Sequence, residues 1–157
     1  QLVQPHQAYF GQKDAQQAAV ISRMAADFHL PLRLHVLPII READGLAMSS
    51  RNVYLSPEDR FAATVLYRAL QAGRLAFEER PAGNAAAVTR AMTDVVASEP
   101  RAVLDYAEVR DPHSFLLLES LHAPAVLVIA VQIGSVRLID NFLLRADGSW
   151  DVGIALQ

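Results

Sequence analysis

The first forty residues alternate strand, helix and strand, and that order restricts the fold more than any average over the chain. Gln7 to Phe10 reads as a short extended run closed by Gly11. A helical pattern begins at Asp14, with Gln17, Val20, Ile21, Met24 and Phe28 on one face, and Pro31 marks its end. Leu32 to Leu37 then alternates, Leu32, Leu34 and Val36 against Arg33, His35 and Leu37. Such a unit joins parallel strands by a right-handed crossover and leaves both strand ends on one edge. Ligands of open α/β sheets bind outside that edge, so the segments after Phe10 and after Pro38 are expected to face one crevice. All-parallel sheets are covered on both faces, which two strands and one helix cannot achieve. Residues 1–41 are therefore expected to be the C-terminal part of a doubly wound domain, and residues 42–157 a second, smaller domain.

The second part has its own pattern. Ser56, Pro57 and Asp59 supply an N-cap, a first-turn proline and a carboxylate, and Phe61, Val65, Leu66, Leu70 and Phe77 form an apolar stripe that Pro81 and Gly83 break. Asn84 caps another helix whose Val88, Met92, Val95 and Val96 face inward, and Pro100 ends it. Strands are expected over Val103–Val109, Val126–Ile133 and Val136–Leu143, the last two joined by a Gly134-Ser135 hairpin turn. The fold class expected is α/β followed by α+β: a βαβ end, then two helices on an antiparallel sheet of about three strands.

Composition excludes several functions. The chain has 157 residues, 52% of them hydrophobic, which suffices for a core and rules out intrinsic disorder. A net charge of −3 argues against nucleic acid as a partner. The most continuous apolar stretch, Ala123 to Val131, falls well short of the roughly 20 residues that span a bilayer. There is no cysteine, which removes thiol chemistry and fits a reducing compartment. Gln1 rather than a methionine opens the chain, as expected of a cut inside a longer protein. Of the 14 basic residues Lys13 alone is lysine, a compact point charge in an arginine-biased chain.

Two polar clusters fall on the expected crevice. Phe10-Gly11-Gln12-Lys13-Asp14-Ala15-Gln16-Gln17 joins a strand end to a helix N-terminus, where free N–H groups, a glycine and a lysine suit a phosphate. Asp14 and Gln17 also have the spacing of a capping box, and the two roles do not exclude each other. Arg41 to Asn52 contains an Asp44-Gly45 turn and then Ser49, Ser50 and Arg51, which suit an anion clamp or, alternatively, an exposed loop with a serine helix cap.

Phe10–Gln17, Arg41–Asn52 and Arg137-Leu138-Ile139-Asp140-Asn141 together closely resemble, in order and separation, the motifs of the pantothenate synthetase (pantoate:beta-alanine ligase) family. The resemblance runs from about Val3 to Leu144. It implies the end of a Rossmann-like nucleotide-binding domain (residues 1–41) followed by a lid domain (residues 42–157). The implied activity is an AMP-forming carbon–nitrogen ligase of pantothenate and coenzyme A biosynthesis. Pantoate is activated by ATP to pantoyl adenylate, and beta-alanine then attacks. Gly11 and Asp14 would contact the adenosine, Lys13 the phosphates, Gln17 pantoate, the Ile40 backbone adenine, and Met48, Ser49, Ser50 and Arg51 the phosphates. Lys13, Ser49, Ser50 and Arg51 are the implied catalytic set. ATP enters as substrate with Mg²⁺, with no tightly bound cofactor and no metal ligand on this chain. The implied setting is a cytoplasmic homodimer at full length.

The chain departs from that family in three places. Ala15 stands where an aromatic residue is usual, and Val53 where a basic one is frequent. The N-terminal part, with its HxGH-type histidines, first pantoate-binding glutamine and magnesium carboxylate, is absent, and His6, His29, His35, His113 and His122 read as ordinary surface or partly buried residues. The chain alone is thus expected to be inactive. The alternative is a non-catalytic module that associates through its exposed sheet edge.

Overall fold

The computed structural model describes residues 3–79 and 84–156. Strand β1 (Gln7–Gly11) and β2 (Arg33–Leu37) pair in parallel, Gln7 opposite Arg33 and Gly11 opposite Leu37, and helix α1 (Ala15–Asp27) crosses between them. A single 3₁₀ turn, Gln12–Asp14, precedes α1. The βαβ unit is therefore present, its strands within a residue of the expected limits, while α1 stops at Asp27, short of Pro31. The helix face is not the expected one: Ala18, Ala19 and Ala25 are buried, while Val20, Met24 and Phe28 are 59%, 43% and 72% exposed. Ala18 and Ala19 share a cleft with Val126 and Leu143 of the lid sheet, while the larger apolar side chains stand exposed.

After the short strand β3 (Ile40–Arg41) the chain turns at Asp44-Gly45 and enters a second 3₁₀ helix, Ser50–Tyr54. The single helix expected from Ser56 is two, α2 (Pro57–Ala62) and α3 (Val65–Glu79). Ser56 Oγ accepts the Asp59 N–H at 3.1 Å, as its spacing predicts, but the break after Ala62 rotates Phe61 out of the stripe to 76% exposure. The break expected at Pro81 and Gly83 lies outside the described residues. Helix α4 (Ala85–Ala97) is capped by Asn84, whose Oδ1 accepts the Ala86 N–H at 2.7 Å.

Strands β4 (Ala102–Arg110), β5 (Ala125–Ile133) and β6 (Val136–Leu144) form the expected antiparallel sheet, and a two-residue strand β7 (Trp150–Asp151) adds a fourth at its edge. Gly134 takes the hairpin turn at φ +57°, as a two-residue loop with glycine first requires. The main core lies between this sheet and α3 and α4, where Leu66, Leu70, Met92, Ile129, Leu138 and Phe142 are buried. Finally β8 (Ile154–Ala155) returns to pair in parallel with β3. The C-terminal segment thus ties the lid to the strand that leaves the βαβ unit.

Candidate nucleotide site

The 3₁₀ turn at Gln12–Asp14 and the one at Ser50–Tyr54 both pack against β6. A strand sends consecutive side chains to opposite faces, so β6 presents two different sets of groups to them. On the face that bears Leu138 and Phe142, Asp140 accepts from Arg41 Nη1 at 2.6 Å and from Nη2 at 2.9 Å. This fork is enclosed: the Arg41 and Asp140 side chains are 2% and 1% exposed. Arg41 also donates to the carbonyls of Val152 and Gly45, and its guanidinium stands 4.9 Å from the Tyr67 ring centroid and 5.2 Å from that of Phe142. Burial pushes the Asp140 carboxyl up, against the opposing pull of Arg41. On the opposite face, Asn141 Nδ2 donates to the carbonyls of Gln12 at 2.9 Å and Lys13 at 3.0 Å.

Lys13 is half-buried at the start of α1. Burial pulls its ammonium below the usual lysine value, Asp14 and Asp140 oppose that fall, and Arg51 adds to it. It therefore lies within the field of both clusters. A cleft of about 220 Å³ between this turn and β6 is lined by Lys13, Asp14, Gln17, Arg137, Asp140 and Asn141. A separate cleft of about 530 Å³, lined largely by apolar groups such as Ala18, Ala19, Val36 and Val126, shares Ala15, Phe115 and Asn141 with the first.

Lys13, Asp14 and Gln17 thus come together, and the capping box expected for the last two does not form. Asp14 precedes α1 with φ −94° and ψ 58°, and its side chain makes no cap hydrogen bond. Asp14 stands at the N-cap position, immediately before Ala15, but the 3₁₀ turn that ends on it gives it a ψ of 58° in place of the extended backbone of a capping residue. Gly11 ends β1, exposed. Ile40 and Met48 are exposed by 39% and 48%, and the Ile40 carbonyl accepts the Met48 N–H at 2.9 Å. Ser49 Oγ accepts the Arg51 N–H at 3.2 Å, so the serine cap considered from sequence is present, while Ser50 and Arg51 stand exposed beside it. None of Gly11, Ile40, Met48, Ser49, Ser50 or Arg51 lines the Lys13 cleft; the link between the two clusters runs through β6 and through charge.

Sequence reasoning assigned no role to Arg41, Asp140 or Asn141, although all three fall inside the motifs that stood out. The available signal on β6 was a carboxylate and an amide side by side within the otherwise apolar run Leu138 to Leu144. Ala15 lines both clefts, and Val53 is 78% exposed with nothing to support a role. Among the described residues no cluster of three or more His, Asp or Glu side chains could hold a metal ion, and no helix is long and apolar enough to cross a membrane.

The family model described as pantoate-beta-alanine ligase matches residues 1–143. The pantothenate synthetase of Roseiflexus sp. (strain RS-1) is 53% identical over 147 residues, 92% of this chain and 52% of the relative. A crystal structure of pantothenate synthetase from Thermus thermophilus is similar with a TM-score of 0.83 and 44% identity, over 89% of this chain and 50% of that one. A pantoate-beta-alanine ligase from Francisella tularensis, described as complexed with beta-gamma ATP and beta-alanine, gives a TM-score of 0.62 at 30% identity, over 90% of this chain and 45% of that one. The chain spans about half the length of the curated relatives it matches.

Proposed function

The chain belongs to the pantoate-beta-alanine ligase family, and on that premise we propose that it supplies the lid-side half of the site of a pantothenate synthetase, acting on ATP, pantoate and beta-alanine. In this reading residues 1–41 close the nucleotide-binding domain and residues 42–157 form the lid of a cytoplasmic enzyme that is a homodimer at full length. The observation that carries it is the gathering of Lys13, Asp14 and Gln17 in one cleft against β6, with Arg51 close enough to depress the Lys13 ammonium. A pantoate carboxylate oxygen attacks the α-phosphorus of ATP, the bond to the β-phosphate oxygen breaks, and pyrophosphate leaves. The beta-alanine amine then attacks the acyl carbon of pantoyl adenylate, loses a proton, and expels AMP.

No protein nucleophile is needed, so the contribution of this chain is positional and electrostatic. Lys13 and Arg51 meet the charge that develops on pyrophosphate, with donors from Ser49 and Ser50 beside them. Gly11 and Asp14 face the adenosine and the Ile40 backbone the adenine. Met48 precedes the two serines in the same loop, and Gln17 holds pantoate from the first turns of α1. Mg²⁺ arrives with ATP as part of the substrate, and the described residues offer it no cluster of ligands. The second reading, a non-catalytic module that associates through its sheet edge, draws support from the bare Val20, Met24 and Phe28 face. The test joins this chain to the complementary half of a curated relative and measures pyrophosphate release. Lys13→Ala should lower that rate roughly 10²-fold, the usual loss for one preorganised donor. An unchanged rate would overturn the assignment.

A further inference from the structure

Asp140 and Asn141 are neighbours on β6 that reach opposite ends of the site. Through Asp140, the strand grips Arg41, and Arg41 in turn holds the Gly45 carbonyl at 2.9 Å. That carbonyl belongs to the turn from which the chain runs into Ser49, Ser50 and Arg51. Asp140 Oδ1 also accepts the Asn141 main-chain N–H at 2.8 Å, which ties the carboxylate to the backbone of the next residue. Through Asn141, the strand grips the main chain of Gln12 and Lys13, and Gln12 Nε2 closes the loop with a weaker contact to Asn141 Oδ1 at 3.4 Å. An amide has two donors, and here both are spent on consecutive carbonyls 128 and 129 residues away. Sheet packing alone does not ask for this. The ladder of β6 is already complete with β5, and a position 1% exposed whose sole task was packing would be filled by an apolar group.

We infer that Asn141 is a positioning residue: it fixes the main chain under Lys13 to β6 while Asp140, through Arg41, fixes the approach to Arg51 to the same strand. One strand of the lid therefore sets the separation of two basic groups that lie far apart in sequence. The geometry stands by itself, and its consequence for ligand rests on the reading of Lys13 and Arg51 as phosphate-facing groups. The charged groups acting on Lys13 are Asp14 beside it, Asp140 on β6 and Arg51 on the second 3₁₀ helix. Burial is the largest influence, so a loop released into water lets the ammonium return upward toward its ordinary value.

Lys13 is the only lysine in the chain, so isotopically labelled lysine gives a single side-chain NMR signal that reports it alone. In the 157-residue chain, wild-type Lys13 is expected to titrate below the ordinary lysine value. Asn141→Leu, with the heavy-atom count and branching of asparagine but no donors, should move the titration upward, and Asn141→Ser, which keeps one short donor, should fall between. Leu144→Ala opens a hole on the helix side of β6, and should lower Tm without moving the Lys13 titration. Adding ATP, and separately inorganic pyrophosphate, should shift the wild-type signal, and Asn141→Leu should need roughly tenfold more of either. A wild-type Lys13 at the ordinary value, or the same titration in wild type and both Asn141 variants, overturns the inference. A titration that Leu144→Ala moves as far as Asn141→Leu also overturns it, since general loosening would then suffice. If the variants separate as expected but neither ATP nor pyrophosphate moves the wild-type signal, the positioning role is supported and the phosphate reading fails.

Discussion

The sequence leaves Gln17 two roles, a cap on α1 or a contact to ligand, and in the structure no cap bond forms. A capping glutamine reaches back to the residue before its helix, whereas the first turn of α1 lacks any such side-chain cap and Gln17 instead lines the Lys13 cleft, largely exposed. Gln17→Ala should therefore leave Tm within about 1 °C of wild type, because exposed positions without a cap change stability by only a few tenths of a kcal/mol. In the joined enzyme it should raise the pantoate KM or lower kcat. A fall in Tm with intact kinetics would return Gln17 to a structural role. Lys13, Asp14 and Gln17 were legible in the sequence because a strand end followed by a helix start brings close neighbours to one spot. Arg41, Asp140 and Asn141 were not, because their partners are 99 to 129 residues away and no local pattern specifies such a meeting.

The turn Glu42–Leu46 shows how one element imposes a residue on another. Its Gly45 sits at φ +91°, and an added Cβ would lie 2.3 Å from the Tyr67 ring on α3. Tyr67 cannot yield freely, since its ring also stacks on the Arg41 guanidinium and meets Phe142 edge-on at 5.6 Å. Arg60 of α2 closes the turn from outside, bonding Glu42 at 2.6 Å and Asp44 at 2.8 Å, and those bonds hold the Asp44 carboxyl below the usual carboxylate range. Gly45→Ala is therefore expected to cost about 1–3 kcal/mol, by overpacking added to an unfavourable φ. A urea titration that leaves the midpoint unchanged would show that Tyr67 has another place to go. The turn itself was legible from Asp44-Gly45, and the strands and both serine and asparagine caps from local chemistry. The face of α1 was not: helical period marks Val20, Met24 and Phe28 as a core stripe, but a stripe is buried only where something covers it, and here the alanine face is the covered one.

At the scale of the molecule, the two halves of the chain are unequally provided. The lid has a closed core between its sheet and α3 and α4, and β8 fastens it to β3. The βαβ end has two parallel strands, one helix, and the apolar side chains of Tyr9, Val20, Met24, Phe28, Val36 and Leu37 in water. Parallel sheets are otherwise covered on both faces, and the curated relatives are about twice as long. Sequence reasoning reached this imbalance from the count of strands alone; it did not foresee the apolar helix face left bare. The same imbalance bears on activity. Positioning and electrostatic stabilisation supply most of the rate in nucleotidyl transfer, and they fail steeply when only part of the cradle is present. The 157-residue chain alone, given ATP, pantoate, beta-alanine and Mg²⁺, should therefore release no AMP above background. Adding the complementary half of a curated relative as a separate polypeptide should bury the bare face and restore turnover in proportion to complex formed, followed by AMP release and by analytical ultracentrifugation of the pair. Steady AMP release from the chain by itself, in a preparation shown by mass to hold no longer enzyme, would mean that these residues form a whole site, and the division of labour argued from the half-covered sheet would be wrong.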